Sequence, residues 1–102
     1  IDGLKWYVDQ AHALGLSVYI GTLLPIEGWR TYAPFREELK NQVNEWIRLT
    51  DGFEGCIDFD LAVQDPDHPA AFKAGYDSGD HLHPSSAGYK AMADAVPKSF
   101  LY

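Results

Sequence analysis

The chain is poor in cysteine, in positive charge and in long apolar runs. Its one cysteine, Cys56, has no partner for an internal disulfide. Cys56 sits in an apolar run, which marks it as a small buried hydrophobe rather than a reactive thiol. Lys and Arg number 8 against 15 Asp and Glu, for a net charge of −7. That balance argues against nucleic acid and anionic membrane surfaces as partners, because both are bound through Lys/Arg clusters. No apolar run approaches the roughly 20 residues needed to cross a bilayer, so no membrane span is expected. Internal repeats and low-complexity segments are also missing.

What is present has the composition of a folded domain. Apolar residues make up 46% of the chain and aromatics 14%, too much for a disordered segment. A length of 102 residues suits one domain with a modest core.

In chain order, Ile1, Leu4, Val8 and Ala11 recur at helical spacing around a helix over residues 3–14, with Asp2 as the expected cap and Gly15 beyond the end. His12 lies beside this stripe as a boundary residue. Residues 17–23 form a β-prone run without clean alternation, which suits a strand buried on both faces. The segment 24–33, with Pro25, Gly28, Trp29 and Tyr32, reads as a loop at the carboxyl end of that strand. In open α/β sheets ligands bind at this edge. Leu24 and Trp29 are therefore candidate substrate-binding residues, with covering the core as the other role open to Trp29.

Pro34 opens a second helix. Phe35, Leu39, Val43, Trp46 and Ile47 form its apolar stripe, Arg48 lies in its last turn and Gly52 follows. Asn44, beside the stripe, reads as a buried amide that bridges to a strand. A second strand lies within residues 53–60. A short helix is expected over residues 69–74, and a final helix over 86–96 with Ser85 as its cap and Tyr89, Met92, Ala93 and Val96 facing inward. Helices between strands force parallel crossovers, so the fold class is α/β with helices layered on parallel strands. Residues 1–102 are read as a single unit.

The stretch with the most chemistry is Ser78-Gly79-Asp80-His81-Leu82-His83-Pro84-Ser85. A carboxylate in a turn can fold back onto the Nδ1–H of a histidine three positions on, which leaves Nε2 free as a base. Asp80 and His83 have that spacing, and Leu82 between them would pack inward to anchor the turn and is a third candidate substrate-binding residue. On residue chemistry alone, a plain Asx turn ahead of a helix accounts for the same stretch. Two further readings stay open. His81 and His83 share a side in an extended segment and, with Asp77 or Asp80, would suit a metal. Asp58 and Asp60, with Asp65 nearby, would suit Mg²⁺ in a metal-dependent, phosphatase-like site.

The block Asp80-x-x-His83-Pro84, followed by Ser86-Ala87-Gly88-Tyr89 and Ala91-Met92-Ala93, resembles the C-terminal block of the SGNH (GDSL-type) esterases and lipases. Gly21-Thr22-Leu23-Leu24-Pro25 is similar to the family's strand-to-loop segment ending in Thr-x-x-Pro. Val43-Asn44-Glu45-Trp46-Ile47-Arg48 is similar to the helix before the last strand. The resemblance implies a three-layer α/β/α fold of flavodoxin-like topology, of which this chain holds the last two strands and their helices. It implies a carboxylic ester hydrolase in which Asp80 and His83 serve a serine, with no cofactor and a small ester or acyl substrate.

The family's Gly-Asp-Ser block and its oxyanion glycine and asparagine blocks have no match in these residues. Two parallel strands alone also leave a bare sheet edge. The expected partner is therefore the N-terminal half of the same hydrolase, or another copy of the chain, paired at the open edge. An inactive edge-pairing interaction module is the alternative from outside enzymology.

Overall fold

A computed structural model describes residues 1–101. The elements follow as α1 (Asp2–Ala13), β1 (Tyr19–Gly21), α2 (Pro34–Leu49), β2 (Gly55–Ile57), α3 (Phe59–Val63), β3 (Gln64–Asp65), β4 (His68–Phe72) and α4 (Ser86–Ala95), with a short 3₁₀ turn at Lys98–Phe100. β1 and β2 pair in parallel, with Ile20 opposite Cys56, and α2 is the crossover between them. The chain is thus α/β, with helices around a small parallel sheet.

α2 follows from its sequence. Pro34 stands in its first turn, where a missing N–H costs nothing, with Glu37 in the same turn and Arg48 in the last. Only part of its apolar stripe is buried, however. Ile47 is enclosed and Val43 and Trp46 are half-buried, Trp46 with its ring 6.1 Å from that of Phe53. Phe35 and Leu39, expected on the buried face, are exposed.

The local expectations need three corrections. Ile1, not Asp2, stands at the N-cap of α1, and no side chain caps that helix. The expected helix over 69–74 is instead strand β4, paired antiparallel with β3. Pro69 there sits in a strand rather than opening a helix, and the ladder with residues 64–65 supplies the backbone bonds a helix would have made. In α4, Tyr89 and Ala93 face solvent while Gly88 is buried, because α4 packs on α3 through a different face.

The buried apolar core among the described residues is small: Val8, Ile47, Val63 and Phe72. Thr22, Lys40, Asn44 and Asp60 are buried with it. Asn44 ties the segment after β1 to α2, Asp60 ties the segment after β2 to Arg48 of α2, and Thr22 joins the two segments, at the edge where the candidate site lies.

Candidate active site

Residues 77–84 form a closed loop. Asp77 bridges Pro84 across it, and the Ser78 N–H donates to the His83 carbonyl at 3.0 Å. Its far end is fixed to α4. Ser85 caps that helix by accepting from the Gly88 N–H, and its hydroxyl donates to the Gly75 carbonyl at 2.6 Å. Both functions of the Ser85 hydroxyl are therefore occupied in holding the loop.

Inside this loop Asp80 does two things at once. Its Oδ1 accepts from the Leu82 N–H at 2.9 Å, the His83 N–H at 2.8 Å and the Ser78 hydroxyl at 3.0 Å. Its Oδ2 is 2.6 Å from His83 Nδ1. The Asx turn and the carboxylate–imidazole pair are thus the same structure: the turn aims the carboxylate at the ring. The bond from His83, then the two backbone N–H groups, hold the Asp80 carboxyl well below the usual carboxylate range. An ionised Asp80 accepts a hydrogen bond from Nδ1–H, the tautomer that leaves Nε2 without a proton, and 63% of the His83 side chain is exposed.

His83 forms part of one wall of an apolar groove of about 580 Å³. Leu24 and Leu82 line the same groove. Trp29 does not; it is half-buried in the turn after Ile26, where its N–H bonds the Ile26 carbonyl at 3.0 Å.

A second pair lies on the same loop. His81 Nδ1 is 2.5 Å from Asp77 Oδ2, while Asp77 Oδ1 accepts from the Gly79 and His81 N–H groups. Burial works to raise the Asp77 carboxyl, but the two backbone donors and the His81 ring outweigh it and bring it below its ordinary value. His81 has φ of +61°, a left-handed backbone that is uncommon outside glycine. Its ring rests on Gly28, itself at φ +94°, where an added Cβ would lie 3.0 Å from the ring. The i,i+4 spacing of Asp77 and His81 was visible in the sequence; the docking on Gly28 was not.

The Asp58/Asp60 cluster is organised by Arg48. The guanidinium donates to both Asp58 oxygens, at 2.8 and 2.9 Å, and to Asp60 Oδ2 at 3.0 Å. These bonds raise Arg48 well above its already high value. Burial would raise Asp58, but Arg48 and the Leu61 N–H hold it below the ordinary carboxylate value; Asp58 caps α3 through that N–H. Burial dominates at Asp60 and raises it. The positive charge that the Mg²⁺ reading required is thus already supplied by a side chain. Among the described residues, no group of three or more His, Cys, Asp and Glu side chains is arranged to hold a metal ion. No described helix is long and apolar enough to cross a membrane.

The model of the GDSL-like Lipase/Acylhydrolase family matches residues 1–91. No curated protein matches the chain. The match takes in the strand-to-loop segment after β1, the α2 crossover and the loop that carries Asp80 and His83. This chain belongs to the GDSL-like Lipase/Acylhydrolase family.

Proposed function

We propose that these residues supply the acid–base half of a serine ester hydrolase, with the nucleophilic serine contributed from outside residues 1–102. The observation that carries the reading is the Asp80–His83 pair, at 2.6 Å, opening on an apolar groove at the carboxyl end of β1. His83 Nε2 removes the proton from the serine hydroxyl as its oxygen attacks the ester carbonyl. The imidazolium then returns that proton to the departing alcohol, leaving an acyl-serine. Water, deprotonated by the same nitrogen, releases the acid. Asp80 orients the ring and stabilises the imidazolium without taking up its proton. Leu24 and Leu82 line the substrate side, and the substrate is an ester with a small or short acyl group.

The completed fold is the three-layer α/β/α arrangement, with a further strand along the bare edge of β1. Two observations support this. Among the described residues β1 pairs only with β2, in a two-stranded sheet. The accessible surface is 6627 Å², against about 5800 Å² for a folded monomer of 11.4 kDa. The excess, roughly 800 Å², is close to one partner's share of a standard interface. The segment that covers it is the N-terminal half of the same hydrolase or a second copy of the chain.

A fluorophosphonate probe tests the proposal, because it labels only an activated serine. Labelling of the complete hydrolase that is lost in His83→Ala is expected. If the 102-residue chain alone hydrolyses a p-nitrophenyl ester and His83→Ala abolishes this, the serine is internal and the two-part reading fails.

A further inference from the structure

The groove beside His83 carries an uneven charge. Leu39 and Val43 of α2 face Leu24, Ile26 and Leu82 across it, and two cations, Arg36 and Lys40, reach it from α2. They differ. Lys40 is 5% exposed and its ammonium is held by Glu37 at 2.9 Å. Arg36 is exposed, and among the described residues no carboxylate lies within ion-pair distance of it; its guanidinium sits 5.4 Å from the ring of its neighbour Phe35. Several Lys and Arg side chains make no ion pair among the described residues, and Arg36 is the one of them that lines this groove.

The helix supplies a ruler. At 1.5 Å per residue, Arg36 to Val43 spans about 10 Å along α2. That is roughly eight bonds of an extended chain. An aliphatic segment of this length, lying against Leu39 and Val43, brings a charged end to Arg36.

We propose that the ester taken by this groove is an anionic amphiphile: an aliphatic segment of roughly eight carbons, with an anionic oxygen group read by Arg36 in addition to the scissile ester. The inference rests on His83 being the base, since that is what places an ester at this wall. A carboxylate and a phosphate present the same charged oxygens to a guanidinium, so the test separates them.

The test is calorimetric titration of the protein with octanoate, octyl phosphate and 1-octanol at low ionic strength. Both anions are expected to bind about tenfold more tightly than the alcohol, and the tighter of the two identifies the head group. Arg36→Gln is expected to bring the anions down to the level of the alcohol and leave the alcohol unchanged. Leu39→Trp fills the groove from an exposed position and is expected to weaken all three by at least tenfold. Equal binding of anion and alcohol, or anion binding indifferent to Arg36→Gln, overturns the proposal. So does failure of all three to bind, with Leu39→Trp instead altering the oligomeric state, because the groove is then a protein interface. None of these titrations needs the serine. A negative result here with positive fluorophosphonate labelling removes the amphiphile and keeps the hydrolase; the reverse removes the hydrolase and the scissile ester with it, and leaves only the binding of an anionic amphiphile.

Discussion

Asn44 holds both backbone groups of Leu23. Its Oδ1 accepts from the Leu23 N–H at 2.7 Å and its Nδ2 donates to the Leu23 carbonyl at 2.9 Å. The side chain is fully buried. One residue of α2 therefore fixes where β1 ends and its loop begins, and Leu24 enters the groove beside His83 from that point.

Replacing Asn44 with Ala leaves the part-buried N–H and carbonyl of Leu23 without their side-chain partners. A fully buried group left so costs about 1–3 kcal/mol; with Leu23 partly exposed, a total loss of about 1–3 kcal/mol is expected. Urea unfolding with an unchanged m-value should show it as a lowered midpoint. Asn44→Asp keeps the acceptor but buries a carboxylate oxygen against the Leu23 carbonyl, and should cost at least as much as Ala at neutral pH.

Gly88 lies where α4 meets the loop that carries His83. A Cβ there would sit 2.6 Å from the Tyr76 carbonyl oxygen and 2.9 Å from Pro84. Ala is the better helix former by about 1 kcal/mol, yet the obstructing atom is backbone and cannot rotate away. Gly88→Ala is expected to destabilise by about 1–3 kcal/mol, measured by thermal melting. An unchanged or higher melting temperature would show that the loop yields freely at Pro84.

Asp80→Asn keeps the size of the side chain and removes its charge. In the complete hydrolase the expected loss of kcat is about 10³- to 10⁴-fold with little change in KM, because the amide no longer fixes the His83 tautomer. Acid titration reads the same carboxylate. Its folded-state pKa lies below the ordinary 3.8, owing first to the bond from His83. Its stabilisation is therefore fully present above 3.8 and is lost as the pH falls through the depressed value. The stability gap between the wild-type protein and Asp80→Asn should be constant above 3.8 and close as the pH falls from there through the depressed value. A gap that persists into strong acid would mean the carboxylate charge contributes nothing.

Arg48→Met removes the cation shared by Asp58 and Asp60. Asp60 is 5% exposed and its Oδ1 already has no hydrogen-bond partner. Removing one member of a buried pair costs about 3–5 kcal/mol; with the Arg48 side chain 37% exposed, about 1–3 kcal/mol is expected here. Burial raises Asp60 above its ordinary value even with Arg48 in place. Its ionised form is thus the costly one, and stability is regained as the pH falls through its folded value toward 3.8. Urea midpoints taken between neutral pH and the acid side should show the Arg48→Met deficit shrinking. A deficit that closes only below 3.8 would assign the loss to Asp58, whose folded value is depressed, and one that grows in acid would assign it to neither carboxylate.

Much of this was legible locally. The bounds of α2 followed from Pro34 and Arg48, the Ser85 cap from its position ahead of α4, and the bridging amide of Asn44 from its place beside an apolar stripe. What failed was set by distant residues. Pro69 carries a helix-opening signal, but residues 68–72 find backbone partners in Gln64 and Asp65 and extend as β4. Phe35 and Leu39 continue the helical stripe, yet nothing in residues 1–101 covers them. Arg48 reads as a helix stop signal and does stand in the last turn of α2, but its guanidinium reaches two aspartates ten and twelve residues on.

The sequence by itself determined the contact between Asp80 and His83. A turn closes Asp80 onto His83 within four residues, and contacts that short need no assistance from the rest of the chain. Tertiary structure alone decided what that pair faces. The groove brings α2 against residues 23–26 and 82–83, and Arg48 gathers Asp58 and Asp60, only because the parallel crossover between β1 and β2 lays α2 beside the strand ends. Side chains some forty residues apart share a wall when backbone pairing puts them there, and no local spacing encodes that.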